Sequence, residues 1–153
     1  MHTSEITKLI VAIRGRAKVG KSTTIARVLA LLRTHDPASV WYSHTPRDAD
    51  YIRGILTVDG TKIGLDDQRD QVTAMRESLQ RLAAEGCGII LCATRSFHRG
   101  TVDPVEEMGR QGFEIRWQHK DATPENEGLA REIADDLLAA LHMIDAARRR
   151  YGG

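Results

Sequence analysis

The hydrophobic pattern of the chain alternates between stretches typical of strands and stretches typical of helices. Two continuous apolar runs, KLIVAI at 8–13 and CGIILCAT at 87–94, predict strands that are covered on both faces. SVWYSH at 39–44 and FEIRWQHK at 113–120 predict two further strands. All four runs are separated by stretches with a different periodicity.

The segment YIRGILTVDGTKIGLDD, at 51–67, contains two β-prone runs on either side of Asp59-Gly60. This dipeptide readily adopts the positive φ angles of a tight two-residue turn. The segment therefore predicts a β-hairpin inserted after the second strand.

Apolar residues at helical spacing predict four helices: one at 21–35, one that starts near 72 and ends at Gly86, one at 103–112, and one that starts at 123 and has apolar positions as far as Ile144. Gly86 and Gly112 follow two of them and supply the expected stop signals. The third helix is expected to begin at Asp103-Pro104, because proline suits a first helical turn. The last helix is expected to begin at Thr123-Pro124-Glu125 and to present one apolar face.

The alternation of strands and helices predicts an α/β fold with three layers. We expect a mostly parallel sheet of about five strands, the inserted hairpin, and helices on both faces. No repeat, low-complexity stretch or linker divides the chain, so residues 1–153 are expected to form a single domain. Ligands of such sheets gather at the carboxyl ends of the strands.

The stretch GRAKVGKS, at 15–22, joins the first predicted strand to the first predicted helix. Glycines let successive amide groups converge on an anion, and the following helix adds the partial positive charge of its N-terminus. In this spacing Lys21 would reach the β- and γ-phosphates, and the Ser22 hydroxyl would bind Mg²⁺. The predicted phosphate site consists of Gly15, Arg16, Ala17, Lys18, Val19, Gly20, Lys21, Ser22 and Thr23.

Through Gly15, Gly20, Lys21 and Ser22 the chain resembles the P-loop NTPase superfamily. In size and layout it is similar to small nucleotide-kinase-like ATP-binding proteins. The resemblance implies a nucleoside triphosphate and Mg²⁺ as ligands, while the reaction stays open because kinases, ATPases and GTPases share the loop. QHKD at 118–121 lacks the spacing of the guanine-reading motif, so ATP is expected by elimination.

The resemblance also implies an acid that steadies Mg²⁺ at the end of a neighbouring strand. TKIGLDD ends in Asp66 and Asp67, which are the first candidates, and Asp70 is the third. One of these acids is also expected to cap the following helix.

Arginines after the other strands are candidates to stabilise a transferring phosphoryl group. Arg95 directly follows the second apolar run, and Arg47 is its rival or a contact for a second substrate. A purely surface role is equally open for both. His98 is expected to be a solvated loop residue and not a general base. Lys21, Arg95 and Asp67 are thus the candidate catalytic residues.

Three functions are compatible with these motifs. The first is an enzyme that hydrolyses ATP or transfers its γ-phosphoryl group, with HTPRDADYIRG at 44–54 as the candidate acceptor segment. The second is a nucleotide-gated module whose loops at 44–54 and 95–103 engage a protein partner. The third is a partitioning-type ATPase dimer on DNA, which VGKSTT resembles. Arg16 occupies the position of the signature lysine of that family. Ala17 and Lys18 stand where two glycines are expected, which departs from the pattern.

Charge and cysteine content narrow the list of partners. With 22 Lys and Arg against 21 Asp and Glu, the net charge is +1, so neither nucleic acid nor an anionic membrane is expected as a partner. The N-terminus shows no signal-peptide pattern, and no apolar run is long enough to span a membrane. Cys87 and Cys92 are expected on opposite faces of one strand, as free thiols in a reducing cytoplasm.

Overall fold

A computed structural model describes residues 8–15, 21–45, 51–67, 72–95, 99–119 and 127–150. Within these ranges there are six strands and four helices, and β2, β3 and β4 follow one another without a helix between them. Their bounds are β1 (Leu9–Gly15), α1 (Lys21–His35), β2 (Val40–Ser43), β3 (Arg53–Val58), β4 (Thr61–Asp66), α2 (Val72–Ala84), β5 (Cys87–Arg95), α3 (Arg99–Arg110), β6 (Glu114–His119) and α4 (Glu127–Arg150).

The described strands form one mixed sheet in the order β2-β3-β4-β5-β1-β6. β1 pairs in parallel with β5 and β6, and β4 pairs in parallel with β5. β3 runs antiparallel to both β2 and β4. The expected mostly parallel sheet of about five strands is therefore not confirmed. The predicted hairpin, β3 and β4, lies between β2 and β5 in the sheet, and its turn has φ angles of 50° at Asp59 and 80° at Gly60.

Helices cover both faces of the sheet, and successive residues of β1 supply both cores. Leu9, Val11 and Ile13 pack in a cluster with α1 and α4. Ile10 and Ala12 pack in a second cluster with α2 and α3. The continuous apolar run of β1 is thus explained by burial on two sides, as predicted.

The helices agree with the sequence pattern except at one boundary. α2 and α3 end before Gly86 and Gly112, whose φ angles are 92° and 99°. α3, however, begins at Arg99, so Pro104 lies inside the helix and not at its start. Proline fits helical φ, but inside a helix it removes one backbone donor and its ring crowds the carbonyl four residues earlier, a cost that the rest of the fold must offset. No helix in the described ranges is both long and apolar enough to cross a membrane.

The apolar face of α4 is part of the core, with Ile133 and Leu137 fully buried. The expected start of this helix at Thr123 lies outside the described residues.

Cys87 and Cys92 both join the core on the α2/α3 face, so the prediction of opposite faces is wrong. Lys62 pairs with Cys87, but the next residue of β4 pairs with Ile89, which leaves Gly88 as an extra residue in β5. Such a bulge reverses the face to which the preceding side chain points. Both thiols are free.

Candidate functional site

The carboxyl edge of the sheet brings together the ends of β1, β4 and β5. β1 ends at Gly15, whose Cα partner on β5 is Arg95, and α1 begins at Lys21. The stretch GRAKVGKS is therefore flanked by a buried strand and a helix, which is the context that the phosphate-loop pattern requires. Thr23 is exposed on the first turn of α1. The other loop positions, Arg16, Ala17, Lys18, Val19 and Gly20, lie outside the described residues.

The two candidate acids at the end of β4 lie on opposite faces of the sheet. Ile63 and Leu65 pack with α1 and α4, so strand alternation directs Asp67 to that same face. Asp66 is directed to the α2 face, where its side chain meets Ser78. Both carboxyl side chains are buried, at 2% exposure for Asp66 and 1% for Asp67.

Asp66 has two partners on the α2 face. The Ser78 hydroxyl donates a hydrogen bond to Asp66 Oδ2, and Arg53 Nε lies 3.4 Å from the same oxygen. A buried carboxylate is tolerated when it is hydrogen-bonded and faced by a cation. Asp66 therefore ties α2 to the hairpin.

Sequence reasoning missed Ser78 and Arg53. The signal for Ser78 was its place between Met75 and Leu79 on the apolar face of α2, where a lone hydroxyl needs a buried partner. Arg53 offered no comparable signal, because its pairing with Asp66 depends on the register of β3 and β4.

β4 is not an immediate neighbour of β1, because β5 lies between them. The backbone of β4, which carries the two acids, therefore lies two strand spacings, about 10 Å, from the backbone of β1. β5 brings Thr94 to this edge between them. Thr94 is fully buried, and its hydroxyl oxygen has no hydrogen-bond partner among the residues that the structure describes.

The remaining candidates are distributed as follows. Arg95 ends β5 and Arg99 begins α3. Arg47, Asp70 and His98 lie outside the described residues.

A cavity of about 220 Å³ lies between the β2–β3 pair and α2. His44 and Arg53, from the segment expected to hold a phosphoryl acceptor, line it together with Ser78 and Arg81. His44 is largely buried, and its Nε2 lies 3.8 Å from Glu85 Oε2. The cavity is thus polar, and Arg53 and Ser78 connect it to Asp66.

No group of three or more His, Cys, Asp or Glu side chains within the described ranges could hold a metal by itself. This is compatible with Mg²⁺, which keeps several waters and takes one or two carboxylates together with substrate phosphates.

Comparison with models of known protein families, with curated proteins and with solved structures finds no match to this chain. Geometry and chemistry of the chain itself therefore carry the functional argument.

Proposed function

We propose that this protein is a Mg²⁺-dependent ATP-binding protein of the P-loop type that hydrolyses ATP or transfers its γ-phosphoryl group. The observation that carries the proposal is the position of GRAKVGKS between β1, an interior strand of the sheet, and α1. A chance match to the eight-residue pattern would not be expected to fall between a buried strand and a helix that starts at the lysine.

The proposed ligand contacts follow from the chemistry of the motif. Backbone amides between Gly15 and Lys21, together with the N-terminus of α1, would surround the phosphate chain. Lys21 would neutralise the terminal phosphates, and Ser22 would supply a hydroxyl to Mg²⁺. When bound, Mg²⁺ would offset the negative charge of the phosphates.

Asp67 is the acid that we favour for the metal. Strand alternation directs its side chain to the face covered by α1 and α4, and α1 carries Lys21 and Ser22, whereas Asp66 is engaged by Ser78 on the opposite face. Carboxylate oxygen is a preferred ligand of Mg²⁺, so the donor type fits. Asp66 would instead stabilise this end of the sheet through its contacts with Ser78 and Arg53 on the α2 face.

Two features bear on the reaction. Arg95 stands opposite Gly15 in the register of β1 and β5, which suits a cation that stabilises the transferring group. The cavity next to Asp66 favours transfer to a small acceptor, since it is polar and smaller than most drug-sized sites. Hydrolysis of ATP needs no acceptor cavity. Hydrolysis and phosphoryl transfer are therefore distinguished by measuring their products.

The nucleotide proposal is tested by thermal denaturation with and without Mg²⁺-ATP. The parent should gain stability from the ligand, and Lys21→Ala should lose that gain because the terminal phosphates lose their cation. Arg33→Ala, which removes an exposed cation from the other end of α1, is the matched control and should retain the gain. If the parent shows no gain, or if Lys21→Ala keeps it in full, the proposal fails.

Measurement of ADP together with free phosphate then distinguishes the three functions. Slow formation of both from Mg²⁺-ATP alone indicates an ATPase, whereas ADP formation that requires an added acceptor and leaves the phosphoryl group on that acceptor indicates a kinase. Nucleotide binding without turnover under either condition would replace the enzyme by the nucleotide-gated protein-binding module.

A further inference from the structure

We propose that a second cavity, at the amino edge of the sheet, binds a small organic anion with an apolar body, such as an aryl or alkyl carboxylate. The cavity has a volume of about 400 Å³. Lys8 precedes β1, Lys62 lies near the start of β4, and Cys87 begins β5. Since these parallel strands all begin at one edge, the cavity lies opposite the edge that carries the phosphate-loop motif. Its volume is typical of small-molecule sites.

Glycines create the space. Gly60 and Gly86 have φ angles of 80° and 92°, which L side chains rarely adopt, and both line the cavity. A Cβ placed on Gly86 would meet no atom within 4 Å. Gly88, the extra residue of the β5 bulge, lines the same space. The cavity is therefore a product of backbone geometry at three positions.

Two lysines give this space its positive charge. Lys62 Nζ donates a hydrogen bond to the Glu85 carbonyl oxygen at 2.9 Å, and an ammonium group has three donors, so capacity remains for an anion. Lys8 Nζ lies 5.4 Å from the centre of the Phe113 ring. Both ammonium groups therefore belong to side chains that line the cavity.

Glu85 supplies the only carboxylate among the described lining residues, and a cation outside the cavity engages it. Arg81 Nε lies 3.8 Å from Glu85 Oε1. Because Arg81 lines the other cavity, it offsets part of the negative charge of Glu85 from that side. The two lysines therefore outweigh Glu85, and the net charge of the cavity lining is positive, which favours an anionic ligand.

The rest of the lining is apolar and neutral. Ala83, Phe113 and Ile144 contribute hydrocarbon surface. Burial raises the pKa of the Cys87 thiol to about 12, so this group adds no charge near neutral pH. A ligand with one anionic end and an apolar body matches both parts of the cavity.

This ligand is separate from the proposed phosphoryl transfer. β1 has seven residues, so its two ends are about 20 Å apart at the usual rise of a strand. Reacting atoms must approach to about 3–3.5 Å, which excludes a direct reaction between the two edges. Anion binding at the amino edge can therefore be tested independently of ATP binding.

The test uses ¹H–¹⁵N NMR of the full chain titrated with 3-phenylpropionate, with the neutral 3-phenylpropionamide as the matched probe. We expect 3-phenylpropionate to change the chemical shifts mainly at the backbone amide groups of Gly60, Gly86 and Gly88. The neutral 3-phenylpropionamide should bind more weakly, by about tenfold or more. Lys62→Gln should weaken binding of the carboxylate by a similar factor, because it removes one of the two cations.

Arg131→Gln is the control for net charge. Arg131 is exposed, pairs with Glu127, and lies about 20 Å along α4 from Ile144. This variant and Lys21→Ala should both leave 3-phenylpropionate binding unchanged. If Lys62→Gln is not folded by its own NMR spectrum, Lys8→Gln replaces it.

Three results would overturn the inference. The first is the absence of localised shifts with 3-phenylpropionate up to about 10 mM. The second is equal binding of carboxylate and amide. The third is equal behaviour of the lysine variant and Arg131→Gln.

Discussion

Ser78, on α2, donates a hydrogen bond to Asp66, which lies 12 residues earlier at the end of β4. Arg53 approaches the same carboxylate oxygen from β3. The Asp66 side chain is 2% exposed, so these side chains, and not bulk water, solvate its charge. One acid of an Asp-Asp pair is thereby used to hold α2 against the hairpin, and the other is directed to the face of α1.

Removing the Ser78 hydroxyl should destabilise the fold. Ser78→Ala leaves a buried carboxylate with one partner fewer, and we expect the free energy of unfolding to fall by about 1–3 kcal/mol. Urea denaturation measures the change. Ser43→Ala is the matched control: its hydroxyl lies 2.9 Å from Thr45 Oγ1 at an exposed position, and its loss should cost about 0.5 kcal/mol or less. Equal losses in both variants would contradict the role assigned to Ser78.

The two acids should respond differently to removal of their charge. Asp67→Asn should raise the Mg²⁺ concentration needed for stabilisation by ATP by about tenfold or more, because a metal ligand is weakened. Asp66→Asn should leave that requirement unchanged but lower the stability without ligand, since it disturbs the contacts with Ser78 and Arg53. A Mg²⁺ titration at fixed ATP, followed by thermal denaturation, separates the two effects. An unchanged Mg²⁺ requirement in both variants would transfer the role to Asp70.

Gly54 should not tolerate a side chain. A Cβ at this position would collide with the Tyr42 carbonyl oxygen and lie 2.7 Å from the Trp41 ring, both on the neighbouring strand β2. We expect Gly54→Ala to cost about 1–3 kcal/mol in unfolding free energy, because the backbone of β2 must move. Gly128→Ala is the control, since a Cβ there meets no atom within 4 Å and lies in α4. It should be neutral or stabilising by up to about 1 kcal/mol, and a loss as large as that of Gly54→Ala would count against the steric explanation.

Stability should decline at alkaline pH because both thiols are buried. Burial raises the pKa of Cys87 from 9.0 to about 12 and also raises the pKa of Cys92. Below pH 9 both folded and unfolded chains retain these protons, so the full contribution is present. As pH rises above 9, the unfolded thiols ionise while the folded ones do not. Unfolding free energy should then fall by up to about 1.4 kcal/mol per pH unit for each thiol.

Urea denaturation from about pH 8 to about pH 10.5, on either side of the ordinary thiol pKa of 9.0, tests this dependence. Cys87→Ala and Cys92→Ala should each show a shallower slope than the parent, and the comparison between variants cancels the titration of tyrosines and lysines. Identical slopes in parent and variants would show that the thiols do not cause the decline.

Local signals explain most of what could be predicted from the sequence. The apolar run of β1 predicted a strand buried on both faces, and Asp59-Gly60 predicted the hairpin turn, because burial and positive φ each favour few residue types. The apolar runs on either side of GRAKVGKS predicted a strand before it and a helix after it, and both are found. That the loop binds a nucleotide stays a prediction.

Features that depend on pairing between distant segments could not be predicted in this way. The single-residue bulge at Gly88 reverses the face of Cys87, and no local pattern marks it, because register is decided against β4. The start of α3 at Arg99 was missed because proline is typical of a first helical turn, whereas Pro104 lies inside this helix.

The sequence by itself determined the order of strands and helices, the tight turn, and the presence of two adjacent acids after a strand, because each depends on properties of neighbouring residues. Only the tertiary structure decided that β5 separates β4 from β1, and that the face on which Asp66 meets Ser78 is the one covered by α2. Strand order and sheet face arise from packing between segments far apart in the chain, where a shift of one residue exchanges the two faces.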